Sequence, residues 1–337
     1  MPKELIHWWL AAEAAEQLAP DSPLRKLLHQ EWQLYLTGAV LPDTLLHLAA
    51  GSWRAAALAA AEQFHNPPCS SYEPLIRFLE GHRSRVKPDD PCPLDPCSTQ
   101  AERSTQAERS TQAERSRSLT LAPSVTACLL GIAAHIEADI VCHPFVYALS
   151  GNDMARHYAV ETELDLWLLA TQRKPPALRL RDLFDERVRE PAVTVLSGLF
   201  DPAGVLPKQA LQQALSLHCL IQGMYGSPGW QLVARCLALL PVPFLRSKYQ
   251  LFYPFGWKRG RAGSWPDSWQ HPITSAISAK GPQELTHGAV ARISRMLQQV
   301  EALGLQEAFE AQTGENLLTC LTPPDHTSKA AAAAALP

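Results

Sequence analysis

GIAAHIEADIVCHP (Gly131–Pro144) and RHYAVETELD (Arg156–Asp165) decide how this chain is read. The first carries His135, Asp139 and His143; the second carries His157, Glu161 and Asp165. Within each stretch, imidazoles and carboxylates recur every four residues. That is about one helical turn, so on a helix they share a face. Imidazole nitrogen and carboxylate oxygen on one face are what a zinc site uses when thiolates are absent. One such stripe could arise by chance. Two of them, separated by a short Ser150-Gly151-Asn152-Asp153 turn, point to a metal cluster.

Outward from this pair, the sequence predicts helices and little else. Leu5–Leu18 and residues 24–37 repeat an amphipathic helical period, and Gly38 closes the second. Residues 44–64 read as a helix interrupted near Gly51 and ended by Pro67 and Pro68, and 72–82 give a short one. The two metal-type helices cover 121–149 and 153–172, with Pro144 expected to end or bend the first. Further helices are predicted over 180–198, 207–224, 229–240 and 284–311. The stretch 241–283, rich in Pro, Gly, Trp and Tyr, reads as ordered irregular chain, and strand alternation never exceeds a few residues. Residues 83–120 hold three copies of STQAER (Ser98–Arg115) and lose their apolar content. A six-residue repeat fits neither the heptad nor the 3.6 period, so a solvated, mobile loop is expected there. The expected organisation is one all-α domain over 1–327, a multi-helix bundle around a metal cluster, followed by a disordered tail at 328–337.

Composition sets several classes aside. A chain of 337 residues with 46% hydrophobic content can fill a core, and a net charge of −3 provides no global field for nucleic acid or membrane. The eight cysteines form no Cys-x-x-Cys, which removes zinc-finger and thioredoxin-type chemistry. No run of about 20 apolar residues is free of charge or His, so no transmembrane segment is expected. The start, MPKELIHWWLAAEAAEQLA, lacks the basic lead and clean apolar stretch of a signal peptide. A cytoplasmic protein with reduced thiols is the expectation.

The candidate metal ligands are His7, Asp43, His65, His135, Asp139, His143, His157 and Glu161. They exceed what one tetrahedral ion can use, and about two or three ions would absorb them. Such a cluster suits phosphoester hydrolysis. One ion lowers the pKa of a bound water while others neutralise the phosphate oxygens and the leaving alkoxide.

In these residues the chain resembles the zinc-dependent phospholipase C family, an all-helical group with a trinuclear zinc site related to zinc nucleases. The family pattern is His-x3-Asp, a nearby His, then His-x3-Glu. Here it is matched by His135, Asp139, His143, His157 and Glu161. An early His before apolar residues is matched by His7-Trp8-Trp9-Leu10, a Pro-Asp motif by Pro42-Asp43, and a following His by His65. The resemblance covers residues 4–170. It implies that Asp43, His65, His135 and Asp139 hold one zinc, and that His143, His157 and Glu161 hold a second. His7 and Asp43 would contribute to a third, with Asp43 bridging and serving as general base. It further implies a phospholipid or related phosphoester substrate, cleaved on the glycerol side of the phosphate.

The chain also departs from the pattern. Secreted members use their mature N-terminal amine and carbonyl as ligands, which this start does not reproduce. The step from Asp139 to His143 is shorter than in the best-known members. Thr44 stands where choline-specific members carry an aromatic.

Around these ligands, Asp165 is expected to orient a ligand imidazole. His47, one turn after Asp43, is an alternative to His65. Glu137 should point away from the cluster, Arg156 is expected in a surface ion pair, with a phosphate contact as its alternative, and Cys142 in the core. His218, His271, His287 and His326 have no partner spacing and are assigned structural roles. Trp257-Lys258-Arg259-Gly260-Arg261 is by default a solvated loop, with a phosphate-bearing ligand or peripheral membrane contact as its functional alternative. Two rival functions remain beside the hydrolase. A single-strand nuclease or nucleotidase would need stacking aromatics and a basic groove, and no stable nucleic-acid partner is expected. The other rival is a non-catalytic, metal-stabilised binding protein. Iron or manganese would suit the same donors as zinc, although the spacing is unlike the Glu-x-x-His of di-iron bundles.

Overall fold

The computed structural model describes residues 4–48, 51–65, 70–85, 121–171, 174–201 and 204–312, with backbone alone for 62–65 and 83–85. The STQAER repeats and the 328–337 tail lie outside the described residues. The chain is mostly helical. The N-terminal part is α1 (Glu4–Glu16), α2 (Pro23–Gln30), α3 (Trp32–Gly38), a 3-10 turn at Leu41–His47, α4 (Arg54–His65) and α5 (Glu73–Arg85). The two long central helices are α6 (Pro123–Ser150) and α7 (Met154–Ala170). The rest is α8 (Leu180–Leu183), α9 (Glu186–Phe200), α10 (Lys208–Tyr225), α11 (Pro228–Ala238), α12 (Pro243–Tyr249), α13 (Pro282–Leu303) and α14 (Leu305–Glu310). Among the described residues the only sheet is an antiparallel pair, β1 (Trp269–Gln270) and β2 (Ile277–Ser278), with Trp269 opposite Ser278.

α6 is the axis of the molecule. Pro123 at its first turn needs no N–H partner there, and Gly151, at φ 56°, ends it. α1, α3, α7, α9 and α13 all pack against it. By length and composition α6 could cross a membrane, yet most of its apolar stretch is buried inside the fold. Its interior position explains the near-continuous burial from Ala127 to Ile140.

Pro144 does not end this helix; α6 continues to Ser150. Proline removes one rung, the N–H to the Ile140 carbonyl. Pro144, Phe145 and Val146 are all buried, so packing holds the turn that the missing bond weakens. Three other predicted helices are split. Residues 24–37 break at Glu31 (φ −107°, ψ 32°). Residues 180–198 break where Asp185 starts a new helix, its carboxylate accepting from the Arg187 and Val188 N–H groups. Residues 284–311 break at Gly304, at φ 91°. The 241–283 stretch contains α12, a 3-10 turn at Trp257–Arg259 and the strand pair.

Two features place α1 and α3 against α6. α3 comes so close that a Cβ on Gly38 would sit 2.2 Å from the Cys128 carbonyl oxygen, and one on Gly131 would sit 2.1 Å from that of Tyr35. Only a glycine pair permits this approach. α1 is tied to α3 by Trp8 Nε1 donating to the Leu36 carbonyl (3.1 Å) and Tyr35 Oη donating to that of Ala11 (2.9 Å). α1 is therefore buried on all sides from Glu4 to Ala11. The sequence period had suggested a single apolar face.

Candidate metal centre

α6 supplies a ladder of three side chains one turn apart: His135, Asp139 and His143, all buried. The reversal at Ser150–Asp153 then lays α7 beside it. Asp153 caps α7 by accepting from the Ala155 and Arg156 N–H groups (2.8 and 3.3 Å). This brings the His157 ring to 6.0 Å from that of His143. His7 arrives from α1, its ring stacked on His135 at 4.3 Å.

Six side chains meet as two triads. Donor atoms of His7, His135 and Asp139 all lie within 4.8 Å of one another, and so do those of His143, His157 and Glu161. Asp139 joins the two. Its Oδ1 is 3.4 Å from His7 Nε2, while its Oδ2 is 3.2 Å from His135 Nε2 and 3.6 Å from His143 Nδ1. In the second triad, Glu161 Oε1 is 2.8 Å from His157 Nε2. Donors about 2.1 Å from a tetrahedral ion stand roughly 3.4 Å apart, so these spacings suit a shared cation.

Hydrogen bonding agrees with that fit. Neither ring nitrogen of His7, neither of His143 and neither oxygen of Asp139 makes a well-formed hydrogen bond, although all are buried. A buried polar atom left unmatched costs about 1–3 kcal/mol. Six such atoms concentrated in one place ask for a cation. His135 is aimed by its other nitrogen, since Nδ1 donates to the Ala39 carbonyl (2.9 Å). A carbonyl can only accept, so the proton of the neutral ring sits on Nδ1 and Nε2 is left for the centre. The glycine contact made by Gly38, the residue before Ala39, brings that carbonyl within reach.

Electrostatics divide the imidazoles. Burial lowers His7, with the neighbouring His135 lowering it further. Burial also holds His143 well below its ordinary value and lowers His157, so these rings are neutral and available as donors. Burial pulls His135 down too, but the Asp139 carboxylate outweighs it and raises the group to about 9. Burial alone would raise Asp139; the surrounding imidazoles, His143 and His135 foremost, overcome this and hold it well below the usual carboxylate range.

Of the remaining sequence candidates, Asp43 is half-buried in the 3-10 turn, and its charge raises His7 and His135. The side chain of His65 lies outside the described residues. Glu137 points elsewhere, as expected, accepting from Tyr72 Oη (2.7 Å) and pairing with Arg292 (2.5 Å). Arg156 pairs with Glu163 on the surface (3.4 Å), and Cys142 is in the core. Asp165 differs from expectation. It accepts from the Ile6 N–H (3.0 Å) and from Tyr253 Oη (2.6 Å), so it anchors the start of α1 one residue before His7.

His218 has no partner spacing in the sequence, yet it reaches Glu4 and Thr44, which stand three residues and one residue from the candidate ligands His7 and Asp43. Its ring stacks on His47 at 4.1 Å, its Nδ1 shares a hydrogen bond with Thr44 Oγ1 (3.1 Å), and its Nε2 is 3.6 Å from Glu4 Oε1. Burial and the His218 charge hold His47 well below its ordinary value. Glu4 carried a local signal, three residues before His7 on the same helix. His218 carried none, because its link to Thr44 spans 174 residues.

A family model described as zinc dependent phospholipase C matches residues 6–197, more than half of the chain. No curated protein and no solved structure gives a significant match. The matched span holds both triads and ends in α9; Glu4 and His218 lie outside it.

Proposed function

The chain belongs to the zinc-dependent phospholipase C family, and from that premise we propose that it hydrolyses phosphodiesters, with phospholipids as the substrate class. The observation that supports this most is the pair of buried triads joined through Asp139. In this reading His7, His135 and Asp139 hold one ion and His143, His157 and Glu161 another. Asp139 is the shared carboxylate, a role the family resemblance had given to Asp43. Asp43 and His65 complete the ligand set. When bound, zinc supplies positive charge for the phosphate oxygens and makes water acidic enough to attack at neutral pH.

The chain's own residues do the rest. Ala39 fixes the His135 ring. Asp165 fixes the start of α1 and so the height of His7. Asp43 takes the proton of the attacking water at its carboxylate, as general base. As the water oxygen bonds to phosphorus, the P–O bond on the glycerol side breaks and the proton held by Asp43 passes to the leaving alkoxide, releasing diacylglycerol and a phosphorylated headgroup. Thr44, 0% exposed and held by His218, provides no aromatic wall for a choline.

The test compares a chromogenic phosphocholine diester with a bare aryl phosphodiester, with and without chelator. Turnover of the bare diester at least equal to that of the phosphocholine diester, abolished by chelation, is expected. Turnover of neither by zinc-loaded protein would overturn the reading in favour of a binding scaffold. Cleavage confined to single-stranded nucleic acid would overturn it in favour of a nuclease.

A further inference from the structure

α11 and α12 are turned inside out. In α11 only Gln231 and Ala234 are buried, and α12 buries nothing. Trp230, Leu239, Leu240, Phe244 and Phe255 stand in solvent, with Leu239 at 80%, Phe244 at 65% and Phe255 at 60% exposure. A contiguous run of apolar residues left outside the core marks a contact surface.

Charge selects the partner. From Pro202 to Pro266 the sequence contains no Asp or Glu, in a chain with 33 acidic residues against 30 basic ones. Arg235, Arg246, Lys248, Lys258, Arg259 and Arg261 all fall in that stretch. A surface whose own segment carries cations and no carboxylates favours an anionic partner over a second copy of itself. Its Trp, Phe and Leu tips beside arginines and lysines are the side-chain set of a surface that enters the headgroup boundary of a bilayer.

The surface is fastened to the helix that carries His157 and Glu161. Lys248 Nζ donates to Tyr158 Oη (3.0 Å), Thr162 Oγ1 donates to the Gln250 carbonyl (2.8 Å), and the Arg261 N–H donates to the Leu166 carbonyl (2.9 Å). None of this surface lies within the 6–197 span matched by the family model.

We propose that the α11–α12 surface, with the basic turn at Trp257–Arg261, docks the protein on an anionic phospholipid bilayer. Apolar side chains enter the headgroup boundary while the arginines and lysines meet lipid phosphates. The proposal rests on the phospholipid-hydrolase reading for its purpose, but not for its measurement. Full-length protein is sedimented with phosphatidylcholine vesicles, with or without phosphatidylglycerol. The assay is run in chelator, so that binding is read without turnover.

Binding that requires phosphatidylglycerol, and that weakens at least roughly tenfold between ~0.1 M and ~1 M salt, is expected as charges are screened. Leu239→Asp combined with Phe244→Asp should weaken it by a similar factor while helical circular dichroism is retained. Equal binding to neutral vesicles, absence of binding, or tighter binding to single-stranded DNA than to vesicles would overturn the proposal. So would a dimer that dissociates in the double variant. Vesicle binding in chelator, with no phosphodiester turnover by the zinc-loaded protein in a separate assay, would contradict the proposed function and leave the docking surface standing.

Discussion

Asp139 is the residue on which the centre turns. Both of its oxygens face imidazoles from different helices, and His135 answers it with a pKa raised to about 9. In the metal-free protein this pair stabilises the fold fully below the unfolded imidazole value of about 6.5. That contribution is lost as pH rises through about 9. The melting temperature of chelated protein should therefore fall between these values, as read by calorimetry, through the loss of this pair. A bound ion must displace the same proton, so zinc loading near neutral pH should release close to one proton from His135. Titration calorimetry in buffers of different ionisation enthalpy measures it. Asp43→Asn should lower kcat by about 10²–10⁴-fold if that carboxylate is the general base. The ladder His135, Asp139, His143 was legible because helical period alone aligns it. The pairing of His7 with Asp139 crosses 132 positions, so no spacing rule reaches it; the resemblance brought His7 to the cluster, but beside Asp43. The Glu4–His218–Thr44 contacts had no signal beyond the Glu4–His7 step.

Among the elements, helix existence was legible and helix ends were not. Pro144 carries a breaker signal that burial of its neighbours overrides, while Glu31 breaks a helix whose pattern runs on unbroken. Gly38 was legible as a helix terminus. Its contact with Gly131 was not, because close backbone approach leaves no period in either helix. That contact makes a signed prediction. Gly131→Ala should destabilise the protein by about 1–3 kcal/mol, as overpacking does, and should weaken zinc binding by moving Ala39 from His135. Gly223→Ala, on α10 with open space around its missing Cβ, should stabilise by up to about 1 kcal/mol from helix propensity. Denaturant midpoints of the two variants should move in opposite directions.

For the whole molecule, the all-helical class followed from period and the apolar supply of the chain. The inverted polarity of α11 and α12 did not, because the run 229–240 reads as an ordinary helix until its neighbours are known. The centre lies where α1, α6 and α7 meet, so its occupancy is coupled to the fold. Saturating zinc at a hundred times its dissociation constant should add about 2.7 kcal/mol of stability per site, and chelation should remove it. The most direct test of a metal centre joined through Asp139 is metal content by mass spectrometry, with phosphodiester turnover on the same samples. The wild-type chain should hold more than one zinc, and Asp139→Asn should lose zinc and turnover together while remaining helical. An Asp139→Asn protein that keeps its full metal content and its rate would contradict the account.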